Sequence, residues 1–284
     1  MAERGEEGRG RLALITGASS GIGAAFARAL AARGHDLALV ARRADRLTAL
    51  GDELAKAHGI EAFAIPADLS KLDACVDVLA ALAARGRSAD VLVNSAGYSI
   101  AQSFADVPWA AQRDFLMTLA VNACGLAHGV IPAMRAKKSG RIINIASLAS
   151  FAPGVAGHSL YPGVKSLMLT FSQALDAEHR ADGIKVTAVC PGFTATEFAA
   201  ANGTDAVMAE APRLFFQTPE QVAAATLRAN DRGKVVLVPG WHNALAAGLM
   251  HYLPQGLVRW AIMRGSAKYH LPPETPGTAE ITGS

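Results

Sequence analysis

Three glycines, Gly17, Gly21 and Gly23, close the stretch RLALITGASSGIG, and the chemistry open to them is the holding of a phosphate. Gly17 can take backbone angles closed to other residues, Gly21 lets a ligand approach the chain, and Gly23 permits tight contact between helix and strand. A helix beginning beyond Ser19, Ser20 and Ile22 would offer free N–H groups and the positive end of its dipole to an anion. From the glycines alone a tight turn in any α/β protein reads equally well, because the spacing is not GxGxxG. Arg42 and Arg43 follow a short apolar run, where a dinucleotide-binding fold meets the adenosine ribose. An acid there bonds the 2′-hydroxyl of NAD, whereas arginine accommodates the 2′-phosphate of NADP through charge-assisted bonds. Ordinary solvated charges are the competing reading of both arginines.

Further reactive groups are spread along the chain. Tyr161 and Lys165 lie one helical turn apart, on one side of a helix, with Cβ atoms about 5 to 6 Å from each other. Pro162 requires that the helix has only just begun there, and Gly163 weakens its first turn. Ser147 stands at the end of an apolar run; a hydrolase nucleophile would occupy such a place, but its surroundings, IASLA, lack the GxSxG pattern. Asn122 interrupts a helical stretch, and its amide needs either a satisfied buried network or a chemical task. Asp68 ends another run, where it or Ser70 could cap the next helix or face a ligand.

These groups hang on a regular alternation. Short apolar runs at 12–15, 36–40, 61–66, 90–94, 141–146, 185–190 and 234–238 have strand length, and stretches of helical period separate most of them. This predicts an α/β fold of Rossmann-like, doubly wound type, with a seven-stranded, mostly parallel sheet and helices on both faces. The carboxyl ends of its strands would gather the glycine turn, Asp68, Gly97, Ser147 and Gly192. Residues 10–240 make up this unit, with 193–218 as a lid whose underside could carry Phe198, Leu214, Phe215 and Phe216. Residues 241–270 read as a helical extension packed on the core or on a second subunit, with surface association at a membrane as the alternative, and 271–284 as a disordered tail.

Bulk properties narrow the function classes. The chain has 284 residues, 51% of them hydrophobic, and a formal net charge of only +3, so it can bury a large core and shows no basic run suited to nucleic acid. Cys75, Cys124 and Cys190 are too far apart in sequence for a paired metal-ligand pattern and read as small core residues. His251, Pro254, Gln255 and Arg259 break the apolar carboxyl-terminal stretch before it is long enough to span a bilayer. The charged, glycine-rich amino end lacks the apolar core of a signal peptide, which makes the cytoplasm the expected location.

Seven motifs together resemble those of the short-chain dehydrogenase/reductase family. They are TGASSGIG at 16–23, Asp68 in ADLS, NSAG at 94–97, Asn122, Ser147 in NIASLAS, YPGVK at 161–165 and PGFTAT at 191–196. The resemblance implies a dinucleotide cofactor and an enzyme that interconverts a carbonyl and an alcohol by hydride transfer. Tyr161 would be the general acid/base, its pKa of about 10 drawn down by a protonated Lys165. Ser147 would hold the substrate oxygen, Lys165 would also bond the nicotinamide ribose, and Asn122 would keep a water in a proton relay. Cofactor contacts are implied for Gly17, Ser19, Ser20, Gly21, Ile22, Gly23, Arg42, Arg43, Asp68, Leu69, Asn94, Ala96, Gly97, Tyr161, Lys165, Pro191, Gly192 and Thr194. Arg42 favours NADP over NAD, and neither a metal nor a covalent nucleophile is required.

Ser95 stands where the family often has a second asparagine, and YPGVK is bulkier and less helix-compatible than usual after the tyrosine. The long carboxyl end resembles extensions in reductases of bulky hydrophobic carbonyls, so an apolar ketone or aldehyde is the expected substrate. A 3-oxoacyl thioester reductase and a non-catalytic nucleotide-binding scaffold are the alternatives. Arg213 is the only basic residue between Phe193 and Leu214 for a phosphorylated carrier, and the presence of both Tyr161 and Lys165 weighs against a scaffold. The family also implies a homodimer or homotetramer, with the helices of Asn122 and Tyr161 at the interface.

Overall fold

A computed structural model describes residues 7–154, 156–194 and 216–266. Its strands are β1 (Leu12–Thr16), β2 (Asp36–Ala41), β3 (Ala62–Pro66), β4 (Val91–Asn94), β5 (Gly140–Ile145), β6 (Ile184–Val189) and β7 (Val236–Leu237). They pair in parallel in the order β3-β2-β1-β4-β5-β6-β7. The order reverses between β1 and β4, which opens a crevice at the carboxyl ends of those strands. The expected seven-stranded doubly wound sheet is present; its last strand is shorter than the apolar run 234–238.

Alternation along the buried strands decides which helices cover which face. Ala13, Ile15, Leu37, Leu39, Val93 and Ile143 form one layer with α1 (Gly21–Ala31), α2 (Ala44–His58) and α7 (Pro219–Asp231). Leu12, Leu14, Val40, Leu92, Ile142 and Val186 pack on the other side against α3 (Ala74–Ala83), α5 (Asn122–Ala136) and α6 (Tyr161–His179). Both faces are covered, so the strands read as unbroken apolar runs.

The helix expected around Asn122 is present as one continuous stretch, Trp109–Ala136, with a π turn in its middle. α4 (Trp109–Leu116) passes through a π turn at Met117–Val121 before α5 begins at Asn122. Trp109–Ala136 is long and apolar enough to cross a membrane by length and composition. Its buried Phe115, Leu119, Leu126, Val130 and Met134 are core contacts of this fold. Two helices follow the sheet, α8 (Trp241–Tyr252) and α9 (Gln255–Ser266). The predicted lid falls mostly on 195–215 and the predicted tail on 271–284; these residues, Phe198, Leu214 and Phe215 among them, lie outside the described ones.

A buried chain of polar groups fastens the middle of the sheet to its helices. Asn94 donates to Ala123 O at 3.0 Å and to Asn144 Oδ1 at 2.9 Å; Asn144 donates to Ser172 Oγ at 2.9 Å, and Ser172 to Met168 O at 2.6 Å. Asn144 has no solvent exposure. Replacing it with alanine should cost about 2 to 3 kcal/mol, since its neighbours lose partners where no solvent reaches. Urea denaturation measures this, and an unchanged midpoint would show that the chain contributes nothing.

Candidate active site

The glycine turn is built as its sequence requires. Gly17 and Gly21 have φ of +67° and +54°, angles that disfavour any side chain. A Cβ on Gly23 would run into the carbonyl of Gly17, so the close contact is with the turn itself rather than with the strand. Ser20 precedes α1 without capping it, which leaves first-turn N–H groups of α1 available to an anion. Thr16 Oγ1 accepts from the N–H groups of Ser95 and Ala96, both at 3.0 Å, locking the end of β1 to the 94–97 turn. Gly17 packs directly on the Ala96 backbone, and Gly97 lies against Leu119.

Arg43, rather than Arg42, lies across this turn. Its Nη2 donates to Ser19 Oγ at 3.0 Å and to Ser20 Oγ at 3.1 Å. The serines therefore hold a guanidinium beside the uncapped start of α1. Arg42 acts at longer range, where its charge helps lower the pKa of the Asp68 carboxyl. Burial would raise that pKa, but hydrogen bonds from Ser70 and the charges of Lys71 and Arg42 carry it below the usual carboxylate value. Asp68 Oδ1 accepts from Ser70 N at 3.1 Å. Neither residue caps the next helix, because α3 starts after Asp73.

Two asparagines spend their side-chain amides inside the fold. Asn94 turns its amide into the buried chain described above. Asn122 is fully buried; it donates to Leu69 O at 2.9 Å and Lys71 O at 2.8 Å and accepts from Cys75 N at 2.8 Å. Both amide hydrogens are thus spent on the 69–75 segment. The buried-network alternative describes this side chain, and a relay water would have to meet something other than these N–H groups.

Tyr161 is the first residue of α6, with Pro162 behind it in the first turn, where proline loses no intrahelical bond. Its hydroxyl is hydrogen-bonded to Ser147; burial raises the phenol pKa and the Ser147 bond lowers it, the former prevailing. Lys165 Nζ donates to Ile145 O at 2.8 Å and lies 5.6 Å from the centre of the Tyr161 ring. Burial pulls the ammonium from the ordinary 10.5 to about 8, so it is still protonated at neutral pH. Burial likewise pushes the neighbouring Cys190 thiol up to about 12, consistent with the inert core role expected of it.

Ser150 was not legible as part of this site. Its hydroxyl donates to Lys165 O at 2.9 Å and accepts from Ser147 N at 3.3 Å, while Ser147 Oγ accepts from Ala149 N at 3.1 Å. This capping box at Leu148–Phe151 fixes Ser147 relative to α6, and the three-residue spacing of two serines was its only sequence signal. His158 is brought beside Tyr161, with ring centroids 6.5 Å apart, and its Nδ1 meets Ser99 Oγ at 3.2 Å. Burial lowers the His158 pKa.

A concavity next to Tyr161 is lined by Ile100, Phe104, Phe115 and Leu160, with Gln102, Gln112 and Ser159. On the other side, Pro191 O accepts from Leu148 N at 2.9 Å and Thr194 Oγ1 donates to Gly192 O at 3.3 Å. Phe193 and Phe216 stack at 5.7 Å. Asn243 donates to Pro239 O at 2.9 Å and fills the space a Cβ on Gly192 would need; nothing in its local sequence announced that position.

A family model described as short chain dehydrogenase matches residues 11–206, and the chain belongs to the short-chain dehydrogenase/reductase family. An uncharacterized oxidoreductase of Myxococcus xanthus is 36% identical over 254 residues, 89% of this chain and 97% of that protein. A short-chain dehydrogenase from Sphingobium yanoikuyae, solved with NADPH, is 31% identical, with a TM-score of 0.75 over 95% of this chain and 99% of that one. A bulky-bulky ketone specific alcohol dehydrogenase from Comamonas testosteroni is 27% identical, with a TM-score of 0.71 over 93% and 96% of the two chains. The protein is accordingly an NAD(P)-dependent oxidoreductase acting between carbonyls and alcohols.

Proposed function

We propose that this enzyme uses NADPH to reduce apolar ketones or aldehydes, and catalyses the reverse oxidation, with Tyr161 as the proton donor and acceptor. The observation that carries this reading is the hydroxyl pair of Tyr161 and Ser147, set over a buried Lys165 at the carboxyl edge of the sheet. In reduction, Ser147 holds the carbonyl oxygen and Tyr161 delivers its proton to that oxygen. Burial keeps the phenol protonated, the form this direction needs. Ser150 and the Ile145 carbonyl keep Ser147 and Lys165 in place. The charge of Lys165 then favours the phenolate left behind.

The residues present fit the cofactor. The uncapped start of α1 and the glycine turn suit a pyrophosphate, and the guanidinium held by Ser19 and Ser20 suits a 2′-phosphate. When bound, the nicotinamide supplies the hydride for reduction and accepts it in oxidation. NADPH in the Sphingobium relative supports this choice. The apolar wall of Ile100, Phe104, Phe115 and Leu160, together with the bulky-ketone dehydrogenase, supports the substrate class. A homo-oligomer through α4 to α6 belongs to the same reading, supported by the exposed Val121 and Leu167.

The test is a panel of carbonyls and alcohols with each cofactor, followed by absorbance at the nicotinamide band, with Arg43→Ala alongside. A charge-assisted bond worth about 1.5 to 3 kcal/mol sets the expectation: NADPH binding weakens about 10- to 100-fold in Arg43→Ala and NADH binding hardly changes. Equal losses for both cofactors would remove Arg43 from the 2′-phosphate.

A further inference from the structure

The helices that follow the sheet expose the residues most proteins bury. On α8 (Trp241–Tyr252), Trp241, Leu245, Leu249 and Tyr252 recur at helical intervals on one side, and all are exposed, Trp241 at 73% and Tyr252 at 85%. The inward side carries Asn243 and Ala247. Thus the usual polarity of a surface helix is reversed. α9 (Gln255–Ser266) likewise exposes Leu257, Trp260 and Met263, and Arg264 lies over the Trp260 ring at 5.2 Å. Exposed apolar side chains in such number on two successive helices mark a docking surface.

Charge decides what docks. No aspartate or glutamate occurs between Asp231 and Glu274, while Arg259 and Arg264 lie on α9. A second copy packed face to face would set these cations near their own equivalents with no acid from either extension to pair with them. Each helix has 12 residues and spans about 18 Å, too short to cross a hydrocarbon core of about 30 Å. We infer that the α8–α9 face lies on an anionic lipid surface, with its tryptophans, tyrosine and leucines among the headgroups and its arginines on lipid phosphates. Asn243 fastens α8 beside Gly192, so docking would bring the carboxyl edge of the sheet close to the membrane. The inference stands apart from the reaction proposed above.

Co-sedimentation of the full chain with vesicles tests it. Phosphatidylcholine vesicles containing about a third phosphatidylglycerol should retain the protein, and retention should fall as salt rises through the screening range. Pure phosphatidylcholine should retain much less. The combined variant Trp241→Ser, Leu245→Ser, Tyr252→Ser should lose binding at least ~10-fold, as should Arg259→Glu with Arg264→Glu; thermal unfolding of each variant checks that the sheet domain is intact. No retention of the wild type on anionic vesicles, or equal retention of the variants, would overturn the inference. So would a solution mass that falls in the serine variant while vesicle binding is unaltered, because a second copy would then be the occupant.

Discussion

Tyr161→Phe is expected to lower kcat for carbonyl reduction by about three orders of magnitude while NADPH binds with nearly unchanged affinity. The substitution removes one oxygen at the first residue of α6, keeps the ring, and deletes the hydroxyl that meets Ser147. The proton at the substrate oxygen is lost together with the bond to Ser147. The direction of the phenol shift adds a second readout. Burial holds the Tyr161 pKa above its ordinary value, so reduction, which starts from the protonated phenol, should vary little around neutral pH. Oxidation starts from the phenolate and should accelerate as the solution becomes alkaline. Both profiles are measured from initial rates across pH, and a Tyr161→Phe enzyme that keeps its turnover would sink the assignment.

Lys165→Met should make the cofactor-free protein more stable at neutral pH and also inactive. Lys165 is 7% exposed, and the fall of its pKa from 10.5 to about 8 corresponds to about 3 kcal/mol spent on burying the charge. The sign follows from proton binding. Between these two values the unfolded chain holds a proton that the folded one has released, so stability rises with pH across that window. Below about 8 both states are protonated and the whole cost is present. Methionine fills a similar volume without the charge but gives up the bond to Ile145 O, worth about 1 kcal/mol. The net gain at neutral pH should be about 1 to 2 kcal/mol, shrinking toward pH 10. Urea unfolding at the two pH values measures it; a destabilised variant at neutral pH would mean that the ammonium is compensated where it lies. Loss of turnover beside a gain in stability would identify Lys165 as a residue kept for chemistry at the fold's expense.

The sheet was readable because its signals are local. Leu12 to Ile15 are all apolar and the strand is buried to Thr16, and glycines that must take positive φ stand where the strand gives way to a helix. Pro162 confined the start of α6 to the turn around it, and the structure begins the helix at Tyr161. The glycine turn, Asp68, Gly97, Ser147 and Gly192 could be gathered on one edge because a parallel sheet collects the carboxyl ends of its strands there, whereas Tyr161 and Lys165 joined them only through the resemblance to the family.

What needed the folded chain was the partner of each polar group. An asparagine in a helix presents the same amide whether it binds water or backbone; the 69–75 segment happens to offer Asn122 two carbonyls and an N–H. Arg42 and Arg43 are adjacent and chemically alike, and only the path of the chain puts Arg43 over Ser19 and Ser20. Likewise the exposed faces of α8 and α9 depend on which side of each helix meets the core, a choice that helical period leaves open when apolar residues surround the axis. Pattern along the chain carries the fold and the residue types of the site; long-range packing settles which hydrogen bond each makes and which apolar face stays exposed.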